Sequence, residues 1–181
     1  MEKKTVTLET ERLILRKFKL SDAQDMFDSY CSRDIVTRYL TWMPHPNVES
    51  TREFLEKVVL PEYDEEFTYR WAIELKETGK VIGSIDVVNK SLTAKRCTMG
   101  WVIGDDYWSK GIMTEAAKKV FEFLFDEGFV RIQSHHQKEN LASGRVMQKV
   151  GMKHEGLLKK YDINRFGEIV DCELYAIVKE D

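Results

Sequence analysis

The residues best suited to chemistry lie in one run, Trp101-Val102-Ile103-Gly104-Asp105-Asp106-Tyr107-Trp108-Ser109-Lys110-Gly111-Ile112-Met113-Thr114-Glu115-Ala116. It reads as strand, short loop and helix start. Trp101 and Ile103 alternate with Gly100 and Val102, a period-two pattern. Met113, Ala116, Val120, Phe123 and Leu124 then recur at three- and four-residue spacing and share one helix face. Gly111 lets a ligand come close to the backbone. The first helical turn adds unpaired N–H groups at the positive end of the dipole. A loop of this kind can hold a pyrophosphate on backbone donors alone. A glycine before a helix also serves as a plain turn. The run is neither a Gly-Lys-Ser/Thr loop nor a Gly-x-Gly-x-x-Gly fingerprint.

A second run follows about thirty residues on: Asn140-Leu141-Ala142-Ser143-Gly144-Arg145-Val146-Met147-Gln148-Lys149-Val150-Gly151-Met152. Asn140 suits a helix N-cap, and Ser143 lies one turn in. The pair of runs resembles the Gcn5-related N-acetyltransferase (GNAT) superfamily. Tyr107-Trp108-Ser109-Lys110-Gly111-Ile112-Met113-Thr114-Glu115-Ala116 is close to one branch's form of the pyrophosphate loop. Asn140-x-x-Ser143 followed by Lys149-x-Gly151 is that branch's later signature, with Met152 in the place of a Phe. Leu8 to Arg16, Ser21-Asp22-Ala23 and Trp42-Met43-Pro44-His45-Pro46 also resemble the ribosomal-protein N-terminal acetyltransferase (RimJ/RimL) branch.

The resemblance implies an α/β fold, a central mixed and mostly antiparallel sheet that splays in the middle, with helices on both faces. It implies acetyl-CoA as co-substrate, no metal, and direct transfer of acetyl to a primary amine in a ternary complex. The acceptor would be a peptide N-terminus or a small molecule. Trp101, Val102, Ile103, Trp108, Ser109, Lys110, Gly111, Ile112, Met113, Thr114, Asn140, Ser143 and Arg145 are then the acetyl-CoA contacts. Met99–Ile103 and Arg131–Gln137 would be the splaying strands. Backbone N–H groups near Met99 to Val102 would polarise the acetyl carbonyl. Ser143 or a water would protonate the departing thiolate, because the tyrosine that many relatives use is replaced by Met147. Tyr39 and Trp42, in an aromatic, proline-rich segment, would form a rim around the acceptor.

The general base is the open position. The glutamate common on this strand in relatives is Thr98 here, which leaves Glu74, Asp86, His135 and His136; Glu74 and His135 are carried forward as catalytic candidates alongside Ser143. An α-amine with a pKa near ~7.8 is deprotonated at neutral pH for about 1 kcal/mol, against roughly 4–5 kcal/mol for a lysine near ~10.4. A site without a strong base therefore suits an α-amine or another amine of low pKa. The missing Glu and Tyr also leave open a non-catalytic acyl-CoA sensor of the same fold.

The 181 residues suggest one domain, 1–181. A net charge of −3 makes no electrostatic case for nucleic acid. No apolar run is long enough for a membrane span, and no signal peptide is visible. Three cysteines without CxxC spacing read as reduced thiols in the cytoplasm, with no disulfide or metal framework.

A bent strand is expected over Val6–Lys17. A helix is expected from a Ser21/Gln24 capping box, and another from Asn47 to about Pro61. A three-strand meander should precede the central helix, and a final hairpin should turn at 164–167. Long apolar edges at Val81–Val88 and the final hairpin must be covered, which suggests a monomer or a homodimer pairing through these regions, the resemblance favouring the dimer.

Overall fold

The computed structural model describes residues 4–180, so residues 1–3 and 181 of the expected domain lie outside the described residues. Its centre is one eight-stranded sheet in the order β1-β2-β3-β4-β5-β6-β8-β7. The strands are β1 (Leu8–Glu9), β2 (Leu13–Arg16), β3 (Arg70–Leu75), β4 (Lys80–Ser91), β5 (Arg96–Ile103), β6 (Arg131–Gln137), β7 (Lys153–Ile163) and β8 (Ile169–Val178). Every neighbouring pair is antiparallel except β5–β6, which is parallel. The expected first strand is in fact a hairpin of two short strands, folded back so that Leu8 pairs with Leu15.

One face carries α1 (Ala23–Met26), α2 (Asp34–Thr37), α3 (Val48–Phe54) and α4 (Leu60–Glu62). Widened π-type turns at Phe27–Cys31 and Leu55–Val59 extend α1 and join α3 to α4. Asn47 caps α3 as expected, its side chain accepting from Ser50 N–H at 2.9 Å. The Ser21/Gln24 box does not form. The chain enters through a 3-10 turn at Leu20–Asp22, and Asp22 instead accepts from Lys19 N–H at 2.8 Å. Asp22 wins because its carboxylate is already placed by Arg16, 2.8 Å away.

The other face carries α5 (Ile112–Asp126) and α6 (Leu141–Lys149). Ala116, Ala117, Val120 and Leu124 of α5 are fully buried against Trp71, Ile73, Ile85 and Met99 of the sheet. Their spacing gives the helix one apolar stripe, and burying it supplies most of the helix's stability. Met147 of α6 and Val150 just after it join the same core. The second core, under α1–α4, contains Ala72 and Val81, with Val102 packed against it.

The alternation expected of β8 is only partly realised. Cys172 and Ala176 are buried on one face, but Tyr175 is buried on the other and Val178 is 55% exposed. Both faces are covered here because α6 packs over this end of the sheet.

β4 and β5 lie close where Gly83 pairs with Ile103, and a Cβ on Gly83 would sit 2.4 Å from the Val102 carbonyl oxygen. Backbone cannot yield there as a side chain would. Gly83→Ala should therefore destabilise the chain by about 1–3 kcal/mol, read as a lower denaturant midpoint at unchanged slope.

Candidate functional site

β5 and β6 pair through only three couples, Arg96↔Arg131, Cys97↔Ile132 and Thr98↔Gln133. Beyond them the strands separate, and a gap opens toward their C-terminal ends. Gly104 N–H donates to the Ile82 carbonyl at 3.0 Å, so alternation turns the main-chain groups of Val102 and Gly100 toward β4. Those of Met99, Trp101 and Ile103 face the gap. Two of them are met from within the chain. The buried Ser134 hydroxyl donates to the Met99 carbonyl at 2.9 Å, and the Trp108 indole donates to the Ile103 carbonyl at 3.0 Å.

The loop Asp105–Gly111 leaves β5 at the open end of this gap and starts α5. Ser109 and Gly111 both have left-handed backbones, φ 60° and 73°. Only glycine adopts that conformation without strain, so Gly111 has a reason to be there beyond its small size. Ile112 and Met113 are buried in the core, so Met113 does not obstruct the loop despite its bulk. Trp108, Ser109, Lys110 and Gly111 are exposed.

The loop is tied down by residues the sequence reading did not assign to it. The Arg12 guanidinium donates to the Lys110 carbonyl at 3.0 Å and to Glu115 at 2.7 Å. Glu115 also accepts from the Thr10 hydroxyl at 2.6 Å and Arg12 N–H at 3.0 Å. Partial burial works against the charge on Glu115, but the Thr10 and Arg12 donors outweigh it and hold the carboxyl below its usual range. The signal was in the Leu8–Arg16 run, but which loop it would brace depended on the β1–β2 hairpin.

Asn140 and Ser143 follow β6 on the α5/α6 side. The Asn140 side chain accepts from Ser143 N–H at 3.3 Å, so the capping role is real. Gly144 lets the helix lie directly on β6, since a Cβ there would meet His136 Nε2 at 2.6 Å. Met147 is wholly buried. Arg145 and Lys149 are exposed on α6.

The four base candidates separate by face. His136 lies under α6, its Nδ1 donating to the Gln137 carbonyl at 2.8 Å. Alternation sends His135 to the opposite face, where Gln137 donates to the Tyr39 carbonyl at 3.2 Å. Continuing the β5–β6 register would set His135 across the gap from Gly100. The His135 Nε2 lies 3.1 Å from Asp162, and its ring meets Tyr161 edge-on at 5.0 Å. A carboxylate only accepts, so in the neutral ring Nε2 carries the proton. Nδ1 is buried without a hydrogen bond.

Asp86 pairs with Gly100 from the other side. A Cβ on Gly100 would meet Val88 Cγ1 at 2.8 Å and lie 4.0 Å from Asp86 Oδ1, so the glycine makes room for the Val88 side chain beside Asp86. Burial raises the Asp86 pKa to about 6 against the opposing pull of Arg70, 3.4 Å away. The Tyr30 hydroxyl is buried nearby without a hydrogen bond, and burial pushes its pKa far up.

Glu74 has a different occupation. It lies in a closed ion-pair group in which Arg16 binds Glu74 through Nε and Asp22 through both terminal nitrogens, at 2.8 and 3.0 Å. This carboxylate, expected as a catalytic candidate, is instead committed to a largely buried arginine two strands from the gap. Trp42 packs against the α1–α4 core and contacts His45, 5.5 Å between ring centroids. Tyr39 is the nearer of the two rim residues to β6, through its carbonyl.

Residues 12–153 match the Acetyltransferase (GNAT) domain family. The uncharacterized N-acetyltransferase YoaA of Bacillus subtilis is 32% identical over 173 residues, covering 95% of this chain and 96% of its own length. The uncharacterized N-acetyltransferase p20 of Bacillus licheniformis is 30% identical over 176 residues, 97% of each chain. A solved GNAT-family acetyltransferase from Bacillus anthracis superposes with a TM-score of 0.80 at 30% identity, covering 96% of this chain and 98% of that one. The same fold occurs in the self-immunity acetyltransferase MccE solved with acetyl-CoA and AMP (TM-score 0.82, 21% identity). It occurs again in RimL, a ribosomal L7/L12 α-N-protein acetyltransferase solved with coenzyme A (TM-score 0.82, 17% identity). This chain belongs to the GNAT family and is an acetyltransferase.

If the braced loop holds the pyrophosphate, Arg12→Ala should weaken acetyl-CoA binding by roughly tenfold, about 1.4 kcal/mol. Gly111→Val should weaken it further, since it adds both strain and bulk. Titration calorimetry on the folded variants checks both.

Proposed function

We propose that the chain transfers acetyl from acetyl-CoA to a primary amine of low pKa, a peptide α-amine being the acceptor class that fits best. The observation that carries this is the gap beyond Thr98 and Gln133, with acidic and imidazole groups flanking Gly100 on the acceptor face. The pyrophosphate would rest on the N–H groups of the Trp108–Thr114 loop, and the pantetheine arm would pair with the main chain of Met99, Trp101 and Ile103 as an added strand. The cradle suits this ligand because unpaired main-chain groups and a bare helix start lie end to end. The MccE and RimL complexes, in which the same fold holds acetyl-CoA or coenzyme A, support the reading.

The amine approaches from the α1–α4 side, between Asp86 and His135. Asp86, with its pKa about 6, is mostly ionised at neutral pH and holds the ammonium over Gly100. The His135–Asp162 pair takes the proton. The neutral amine then attacks the acetyl carbon, and a Met99 or Trp101 N–H stabilises the developing oxyanion. The thiolate leaves on the opposite face, toward Ser143, whose hydroxyl donates to it. A leaving thiol resembling cysteine, with pKa about 8.5, needs little acid help, so position contributes more of the rate than proton transfer does. The likeness to RimL, a protein acting on a ribosomal protein's α-amine, favours a peptide acceptor.

A thiol-release assay with peptide and small-amine acceptors tests the activity; no release with any acceptor would leave an acyl-CoA-binding protein. His135→Gln should lower kcat by about 10²-fold or more at unchanged acetyl-CoA affinity, and Ser143→Ala by less, at the low end of ~10²–10⁴. Ionised Asp86 is lost as pH falls through about 6, so kcat/KM should fall there as well. Asp86→Asn should abolish that limb and raise the acceptor KM. A limb that persists in Asp86→Asn would assign it to another group.

A further inference from the structure

We propose that His135, Asp162 and Cys172 form a binding site for a soft divalent cation of the Zn²⁺ class, and that its occupancy competes with acetyl transfer. The three residues come from three adjacent strands, β6, β7 and β8. Their ligand atoms lie within 4.8 Å of one another. Pairing puts all three on the acceptor face. His135 lies opposite Leu174 and Asp162 opposite Val170, on the side of β8 where Cys172 also points. Nothing in the expected acetyl transfer requires a thiol at this place.

The chemistry of the donors selects the ion. One thiol, one imidazole and one carboxylate suit zinc, whereas magnesium and calcium take oxygen ligands. Zn–N and Zn–O bonds of about 2.0 Å and a Zn–S bond of about 2.3 Å place tetrahedral donors roughly 3.3–3.7 Å apart. His135 and Asp162 are already 3.1 Å apart. Cys172 must close by at most ~1.5 Å, within the reach of a side-chain adjustment.

The surroundings are also built to receive a cation. Asp162 is held from its own strand, its Oδ1 accepting Ile163 N–H at 2.8 Å. The register shift between Leu158 and Asp162, with Lys160 at φ 52°, turns this part of β7 across the sheet. Burial first, and then the charges of Asp162, Asp171 and Glu139, push the Cys172 thiol up to about 11, so the ion must displace its proton, and those same carboxylates favour a cation there. The ion would bind His135 through Nε2, the nitrogen beside Asp162, and the ring proton would pass to Nδ1, which has no hydrogen bond to lose. Three protein ligands leave a fourth position open. A bound ion would occupy the imidazole that is to receive the amine's proton and would repel the incoming ammonium. This competition rests on the role proposed for His135; the binding itself does not.

The test uses the metal-free full chain, titrated with Zn²⁺ in competition with a chromophoric chelator and with Co²⁺ as the spectroscopic probe. A single equivalent should bind, Co²⁺ should show a thiolate-to-metal charge-transfer band, and zinc should raise the melting temperature. Cys172→Ser should abolish the band, and Asp162→Asn should weaken zinc binding about tenfold or more. Zinc should inhibit acetylation by the wild type. Cys172→Ser should keep its zinc-free turnover and escape the inhibition.

Absent binding, or binding indifferent to both substitutions, overturns the site. Should Cys172→Ser fail to fold, the wild-type band and the Asp162→Asn affinity decide the question. Zinc bound through Cys172 with turnover undiminished overturns the competition alone. Zinc bound in a chain that acetylates no amine upholds the site while removing the functional reading.

Discussion

A strand abandoned by its neighbour must find other partners for its main-chain groups, because a buried unpaired donor or acceptor costs about 1–3 kcal/mol. β5 meets this constraint beyond Thr98, where β6 diverges. The Ser134 hydroxyl takes up the Met99 carbonyl at the vertex, and the Trp108 indole takes up that of Ile103 at the mouth. The groups between them form a half-finished sheet edge inside the molecule. In the proposed function an extended ligand arm would complete it as another strand would. The wedge is therefore a cost of folding that the proposed binding site would use.

Three arginines organise the rest of the charge, each linking two segments. Arg12 joins the β1–β2 hairpin to the loop before α5, and Arg16 joins β2 to β3 and to the start of α1. Arg70 stands between Glu62 and Asp86, at 2.9 and 3.4 Å. The planar guanidinium serves two carboxylates at once, which a lysine does less well. Of the three, the Arg16 group is the largely buried one; removing one partner there costs roughly 3–5 kcal/mol, so Asp22 and Glu74 are held in place first by structure. That distinguishes Glu74, enclosed with Asp22 around Arg16, from Asp86. Asp86 shares its arginine with Glu62, and its pKa is raised to about 6 because burial outweighs the Arg70 contact.

The sheet also divides labour between its faces. Loop, α5 and α6 gather on one side, and the α1–α4 segment, Tyr39 and the β7–β8 turn close over the other. Arg165 in that turn reaches Thr37 at 2.9 Å and Asp34 at 2.8 Å, which ties the hairpin to α2. Gly100 lies between Asp86 on β4 and the gap, and its missing side chain makes room for Val88.

Much of this was legible in the residues alone. Period-two alternation in Tyr69–Leu75 and Arg96–Ile103, and the apolar stripe from Met113 to Leu124, locate strands and helix to within a residue or two. Local spacing directly encodes which side chains share a face. The loop and the Asn140 cap were equally visible, since each is a contiguous run. What the sequence could not decide was which face is which. Alternation states that His135 and His136 point oppositely, but only α6 packing on His136 through Gly144 shows that His135 faces the α1–α4 side. Glu74 and Asp86 look alike as single acids in strands, and the Ser21/Gln24 spacing looks like a cap. Arg16 and Arg70, distant in the chain, settle these choices. Long-range pairing and register bring such groups together, and neither is written in the spacing of neighbouring residues.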